Sequence, residues 1–106
     1  MSIVEEPETR SLDLPAVLAA LADPVRLSIV AELRARGEVQ CGTFDVPVAR
    51  STLSHHLKVL REAGVTRTRI EGVERYVSLR DKDLEARFPG LLGAVAQPKK
   101  SRSRKG

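Results

Sequence analysis

The chain is predicted to fold as a mainly α-helical domain, with about five helices and one small β-hairpin. Three observations carry this. Its 106 residues, 42% hydrophobic and 30% charged, suit one soluble domain with one core. Apolar residues recur at helical spacing through 14–33 and again through 53–60. After Gly64 the period changes to alternation, in two β-branched runs around Glu71-Gly72.

The elements follow in order. Residues 1–11 are polar, acidic and broken by Pro7, and are read as a flexible start. Asp13 caps a first helix with Pro15 in its first turn and Leu14, Leu18 and Leu21 on one stripe. Asp23-Pro24 is a strong start signal for a second helix, in which Val25, Ile29 and Leu33 recur every four residues up to a basic turn and Gly37. Gly42 and Pro47 leave room only for a short helix near 41–45 and a loop. From Arg50 to Ala63, Leu53, Leu57 and Leu60 share one face, and Gly64 ends the helix in the left-handed conformation. The hairpin runs from Val65 to Ile70 and from Val73 to Leu79. Asp81 then caps a last helix containing Leu84 and Phe88, bent or broken at Pro89-Gly90 before Leu91, Leu92 and Val95. Residues 12–97 are read as one domain, and 98–106 are expected to form a disordered basic tail.

Composition excludes several classes. A single cysteine, Cys41, cannot build a disulfide framework, the start lacks the basic and apolar regions of a secretory leader, and no run approaches the roughly eighteen apolar residues that span a bilayer. A reducing cytoplasm is the expected location. Charge is polarised along the chain. Residues 1–49 carry four arginines against eight acids, whereas 50–80 carry seven bases against three acids, and 99–106 add five bases. That division suits a polyanion that touches one region and avoids another.

The helix 50–63 has the properties of a DNA-reading helix. With its leucines buried, about 100° of rotation per residue puts Ser51, His55 and Lys58 on the opposite face with Ser54 beside them. Short polar side chains near the N-terminus let the backbone approach a major groove. Arg50, Ser51, Thr52, Ser54, His55 and Lys58 are therefore the candidate DNA contacts, Arg50 to a guanine edge or a phosphate and Lys58 to a phosphate. His56 turns toward the leucine face as a hydrogen-bonded packing residue. Arg67, Arg69 and Arg75 charge the hairpin for phosphates or the minor groove, in competition with cross-strand pairing to Glu71 and Glu74.

The element order, with a hairpin after the longer helix and an extra helix at each end, is that of a winged helix-turn-helix with a two-stranded wing. Ala20-Leu21-Ala22-Asp23-Pro24-Val25-Arg26-Leu27, followed by Ser51-Thr52-Leu53-Ser54-His55-His56-Leu57-Lys58-Val59-Leu60-Arg61-Glu62-Ala63-Gly64, resembles the ArsR/SmtB family of winged-helix repressors. The similarity covers roughly residues 12 to 92. It implies a dimeric bacterial repressor whose recognition helix enters the major groove and whose terminal helices pair across a two-fold axis. Leu14, Leu18, Leu21, Leu84, Phe88, Leu91, Leu92 and Val95 are the candidate dimer interface, and the operator is expected to be palindromic.

The family's soft-metal sensors use paired cysteines close to where Cys41 lies, and its other metal site uses Asp and His of the last helix. This chain has one cysteine, and Asp81, Asp83 and Glu85 come without a histidine, so no metal and no cofactor is expected. His55 and His56 are adjacent rather than at i and i+3 or i+4, and do not make a metal site. No small-molecule effector is evident. The alternative reading is a thiol- or metal-responsive repressor switched at Cys41, which needs an exposed thiol of lowered pKa. An enzyme built on Cys41 and a histidine lacks a pocket and an orienting group. Phe44, Tyr76 and Phe88 are too few to stack single-stranded nucleic acid.

Overall fold

The computed structural model describes the backbone of residues 2–3 and all of residues 7–96. The expected basic tail, 98–106, lies outside the described residues. Strand β1 (Ser2–Ile3) is followed by a 3-10 turn at Thr9–Ser11, helices α1 (Leu14–Leu21) and α2 (Pro24–Arg36), and strand β2 (Val39–Gln40). A second 3-10 turn, Cys41–Thr43, leads to α3 (Arg50–Glu62), strands β3 (Thr66–Glu71) and β4 (Glu74–Leu79), and helices α4 (Asp81–Arg87) and α5 (Leu91–Val95). The mainly α winged helix-turn-helix class is the observed one.

Local chemistry accounts for most boundaries. The Asp13 carboxylate accepts from the Ala16 N–H at 3.1 Å, and that of Asp23 accepts from Val25 and Arg26 at 2.8 and 3.0 Å. Proline stands in the first turn of both helices, where its missing N–H costs nothing. At the end of α3 the Val65 N–H bonds to the Leu60 carbonyl and the Gly64 N–H to that of Arg61. This pair of bonds, with Leu60 and Val65 both fully buried, is a Schellman closure. Gly64 holds φ at +88°, and a Cβ there would lie 2.1 Å from Leu12 Cδ2, so conformation and packing both demand glycine.

The core gathers Val17 and Leu21 of α1, Ile29, Val30 and Leu33 of α2, Leu57 and Leu60 of α3, Val77 of β4 and Leu84 of α4. Arg34 of α2 donates to the carbonyls of Leu92 and Ala96, both at 3.1 Å, and so holds the end of α5 against the body.

The structure departs from the expectations in four places. The hairpin is the centre of a four-stranded antiparallel sheet, ordered β1-β3-β4-β2, rather than a free two-stranded wing. Strands of two residues have no period for a sequence reading to detect. Within the expected flexible start, Pro7 and Thr9 are tied to the body, because buried Arg80 donates to the Pro7 carbonyl at 2.6 Å and Arg87 to that of Thr9 at 2.9 Å. Asp81 is the first residue of α4 and not its cap: Arg80 takes the cap position, and the Asp81 carboxylate accepts from the Lys82 N–H. The expected short helix at 41–45 is reduced to the 3-10 turn Cys41–Thr43.

Candidate nucleic-acid interface

Helix α3 lies with one face in the core and the other open. Leu57, Leu60 and His56 are buried, while Arg50, Ser51, Thr52, Ser54, His55 and Lys58 are all exposed. The structure thus brings all six candidate contacts of this helix onto one outer surface. Ala49, the residue capping α3, has no side chain to satisfy the first N–H groups of the helix.

The inner face is pinned by a polar clamp. Arg26 Nη1 lies 3.1 Å from His56 Nδ1, and Arg26 Nε donates to the Ala20 carbonyl at 2.6 Å. Guanidinium is a donor only, so Nδ1 accepts and the His56 proton sits on Nε2. His56 is the hydrogen-bonded packing residue its position suggested. The Asp23 carboxyl is held below its ordinary value, first by the N–H of Arg26 against the opposing penalty of burial, and further by the N–H of Val25 and the charge of Arg26. One acid therefore caps α2 and faces the clamp that carries α3.

The three arginines of the hairpin have different fates. Register puts Arg67 and Arg69 opposite Ser78 and Tyr76, whereas Arg75 stands opposite Ile70 and so shares a face with buried Thr68 and Val77. Arg69 donates to both carboxylate oxygens of Glu38, at 2.7 and 3.1 Å, contacts Glu71, and stacks 4.5 Å over the Tyr76 ring. Its donors are thus engaged within the protein, the pairing that competes with its expected role as a DNA contact. Glu38 reaches it because β2 pairs with β4 and draws the end of α2 over the sheet. The Glu38 carboxyl is pulled below its ordinary value by the Arg69 hydrogen bond, despite some burial. Arg67 bonds Asp83 at 3.5 Å. Arg75 is exposed and forms no ion pair among the described residues.

Of the candidate dimer residues, Leu21, Leu84 and Leu92 are buried in the protomer's own core, which corrects their assignment. Leu21 sits four residues after Val17, on the inner face of α1. The break at Pro89-Gly90 turns Leu92 inward. Leu14, Leu18 and Val95 are 40%, 44% and 36% exposed, and Phe88 and Leu91 are half-buried.

Cys41 is half-buried at the start of its turn, and burial pushes its thiol above the ordinary value, with Arg75 opposing. Among the described residues no three His, Cys, Asp or Glu side chains are grouped so as to hold a metal ion, and no single helix is long and apolar enough to cross a membrane.

Comparison with known proteins agrees with this geometry. A helix-turn-helix domain model matches residues 21–69. An uncharacterized HTH-type transcriptional regulator of Bacillus subtilis is 39% identical over 79 residues, covering 72% of this chain and 79% of the relative. The arsenical resistance operon repressor of the same organism is 37% identical over 75 residues, covering 69% and 68%. The crystal structure of an ArsR family transcriptional regulator superposes with a TM-score of 0.60 at 23% identity, covering 85% of this chain and 92% of that one. A helix-turn-helix whose reading helix is open on its outer face, joined to relatives of this kind, makes the chain a member of the ArsR family of winged helix-turn-helix transcriptional regulators.

Proposed function

We propose that the protein is a homodimeric repressor that binds a palindromic operator through α3 and has no catalytic activity of its own. The observation that carries this is the segregation of α3, whose six candidate contacts are all exposed over a leucine and histidine base. Arg50, Ser51, Thr52 and Ser54 enter the groove in this reading, and His55 and Lys58 follow its wall. Arg75 reaches the backbone from the wing on the same side, with Arg67 as a weaker contributor because it bonds Asp83. A dimer whose two α3 helices are related by a two-fold axis reads a sequence of the same symmetry. Leu14, Leu18 and Val95, with Phe88 and Leu91 behind them, form the pairing surface.

Switching at Cys41 is not part of the proposal, because a thiol raised by burial is a poor nucleophile and metal ligand at neutral pH. A duplex selected from genomic DNA by the purified protein supplies the test. Arg50→Ala should weaken binding to that duplex by roughly 1–3 kcal/mol and change binding to a scrambled duplex much less. Equal losses on both would make Arg50 a phosphate contact, and undiminished binding by a variant with Arg50, Ser54 and Lys58 all replaced by alanine would refute the reading.

A further inference from the structure

Between the turn Cys41–Thr43, the first turns of α3 and the outer end of β4 lies a cavity of about 410 Å³. Phe44, Val46, Leu53 and Leu57 give it an apolar side, with Leu57 buried and the other three half-buried. Two cations border it, Arg50 from α3 and Arg75 from β4, and Ser54 adds a hydroxyl. Among the described residues no carboxylate lines the cavity, and neither arginine has an ion-pair partner. Arg69 and Arg80, by contrast, are each held by acids of the same chain.

Size and wall chemistry decide what fits. The volume lies within the range of roughly 300–1,000 Å³ typical of small-molecule sites, and the wall is divided almost evenly between apolar surface and polar groups. An inorganic anion would leave the apolar wall unfilled, a neutral molecule would leave two guanidinium groups unanswered, and a cation would be repelled. The complement is a molecule with an apolar body and one carboxylate, which an arginine can grip with two parallel hydrogen bonds.

We propose that this cavity binds an organic carboxylate with an aromatic or branched aliphatic body, and that its occupation excludes duplex DNA. The first half stands on the cavity alone. The second rests on the proposed function, which gives Arg50, Ser54 and Arg75 to the DNA as well. The same donors cannot serve both partners, so ligand and duplex weaken each other reciprocally.

The test uses the full chain with 2-naphthoate and its neutral analogue 2-naphthamide at constant ionic strength. Without DNA, naphthoate should shift the methyl resonances of Val46, Leu53 and Leu57 saturably, and the amide should bind about tenfold or more weakly, as expected when a charge-assisted hydrogen bond is lost. Arg75→Gln, an exposed substitution, should bring naphthoate down to the affinity of the amide. Equal affinity of acid and amide, or shifts centred on Leu14, Leu18 and Val95, overturns the site. With a selected duplex, naphthoate should release the protein at concentrations where the amide does not. Naphthoate seated in the cavity of a protein that keeps its duplex overturns the exclusion. Absence of any duplex binding would sink the proposed function and the exclusion together, with the DNA-free titration still deciding the cavity.

Discussion

Arg26 of α2 and His56 of α3 meet at 3.1 Å, a polar contact that ties the base of α3 to the helix before it. The same guanidinium donates to the Ala20 carbonyl, so a single side chain joins the end of α1 to α2 and α3.

Arg26→Ala should therefore cost about 1–3 kcal/mol of stability, since it leaves buried His56 and the Ala20 carbonyl without their donor. Arg26→Lys should recover little, because a single ammonium does not reproduce the fork that serves both acceptors. Urea denaturation at fixed protein concentration measures both. A lysine variant as stable as wild type would show that charge, and not the two-pronged geometry, is what matters.

Arg69 and Arg75 should behave oppositely. Arg75→Ala is expected to weaken binding to all duplexes and to flatten the dependence of log affinity on log salt by about 0.9, the contribution of one phosphate contact. Arg69→Ala should leave that slope unchanged and lower the melting temperature, because its partners Glu38 and Glu71 belong to the protein. A slope that changes for Arg69 and not for Arg75 would reverse the assignment.

This contrast marks the limit of what the sequence discloses. Asp23-Pro24, the spacing of Leu53, Leu57 and Leu60, and Glu71-Gly72 are local signals, and each element they announce is present. Which face of the hairpin an arginine occupies depends on register, and one residue of shift exchanges the faces. The Arg69–Glu38 pair joins residues 31 positions apart, through a strand pairing of only two residues. The fate of Leu92 similarly depends on the angle between α4 and α5, which Pro89-Gly90 announces without giving its direction.

The apolar surface of α1 and α5 can be separated from the core by mutation. Leu14→Glu with Leu18→Glu should produce folded monomers, visible by light scattering together with an unchanged helical circular dichroism spectrum. Leu92→Asp should instead unfold the chain or cost several kcal/mol, the consequence of placing an uncompensated charge in the core. Dimers that survive the double substitution would move the interface away from α1.

Acid should weaken the protein, partly through Glu38. A carboxyl held below its ordinary value in the folded state contributes stability that is fully present above the unfolded-state value and is lost as pH falls through the folded-state one. With an ordinary glutamate value of about 4.3, that loss belongs to the region below about pH 5. Replacing Arg69 by glutamine should remove this component, so the difference in stability between wild type and variant should shrink on going from neutral pH to about pH 3.5. A difference that stays constant would mean Arg69 acts through the Tyr76 stack and not through the carboxylate.

The arrangement of β1 and β2 bears on whether the wing can be transplanted. Each short strand pairs with two residues of the β3–β4 ribbon, β1 with Arg69 and Ile70 and β2 with Tyr76 and Val77, and so shortens the free edge on that side. An isolated two-stranded ribbon is at best marginally stable in water. The wing is therefore not a portable module: residues 65–80 excised as a peptide, or grafted onto another helix-turn-helix, would leave behind the segments at either side that complete them, and would bare the stretches of both edges that are paired in this protein.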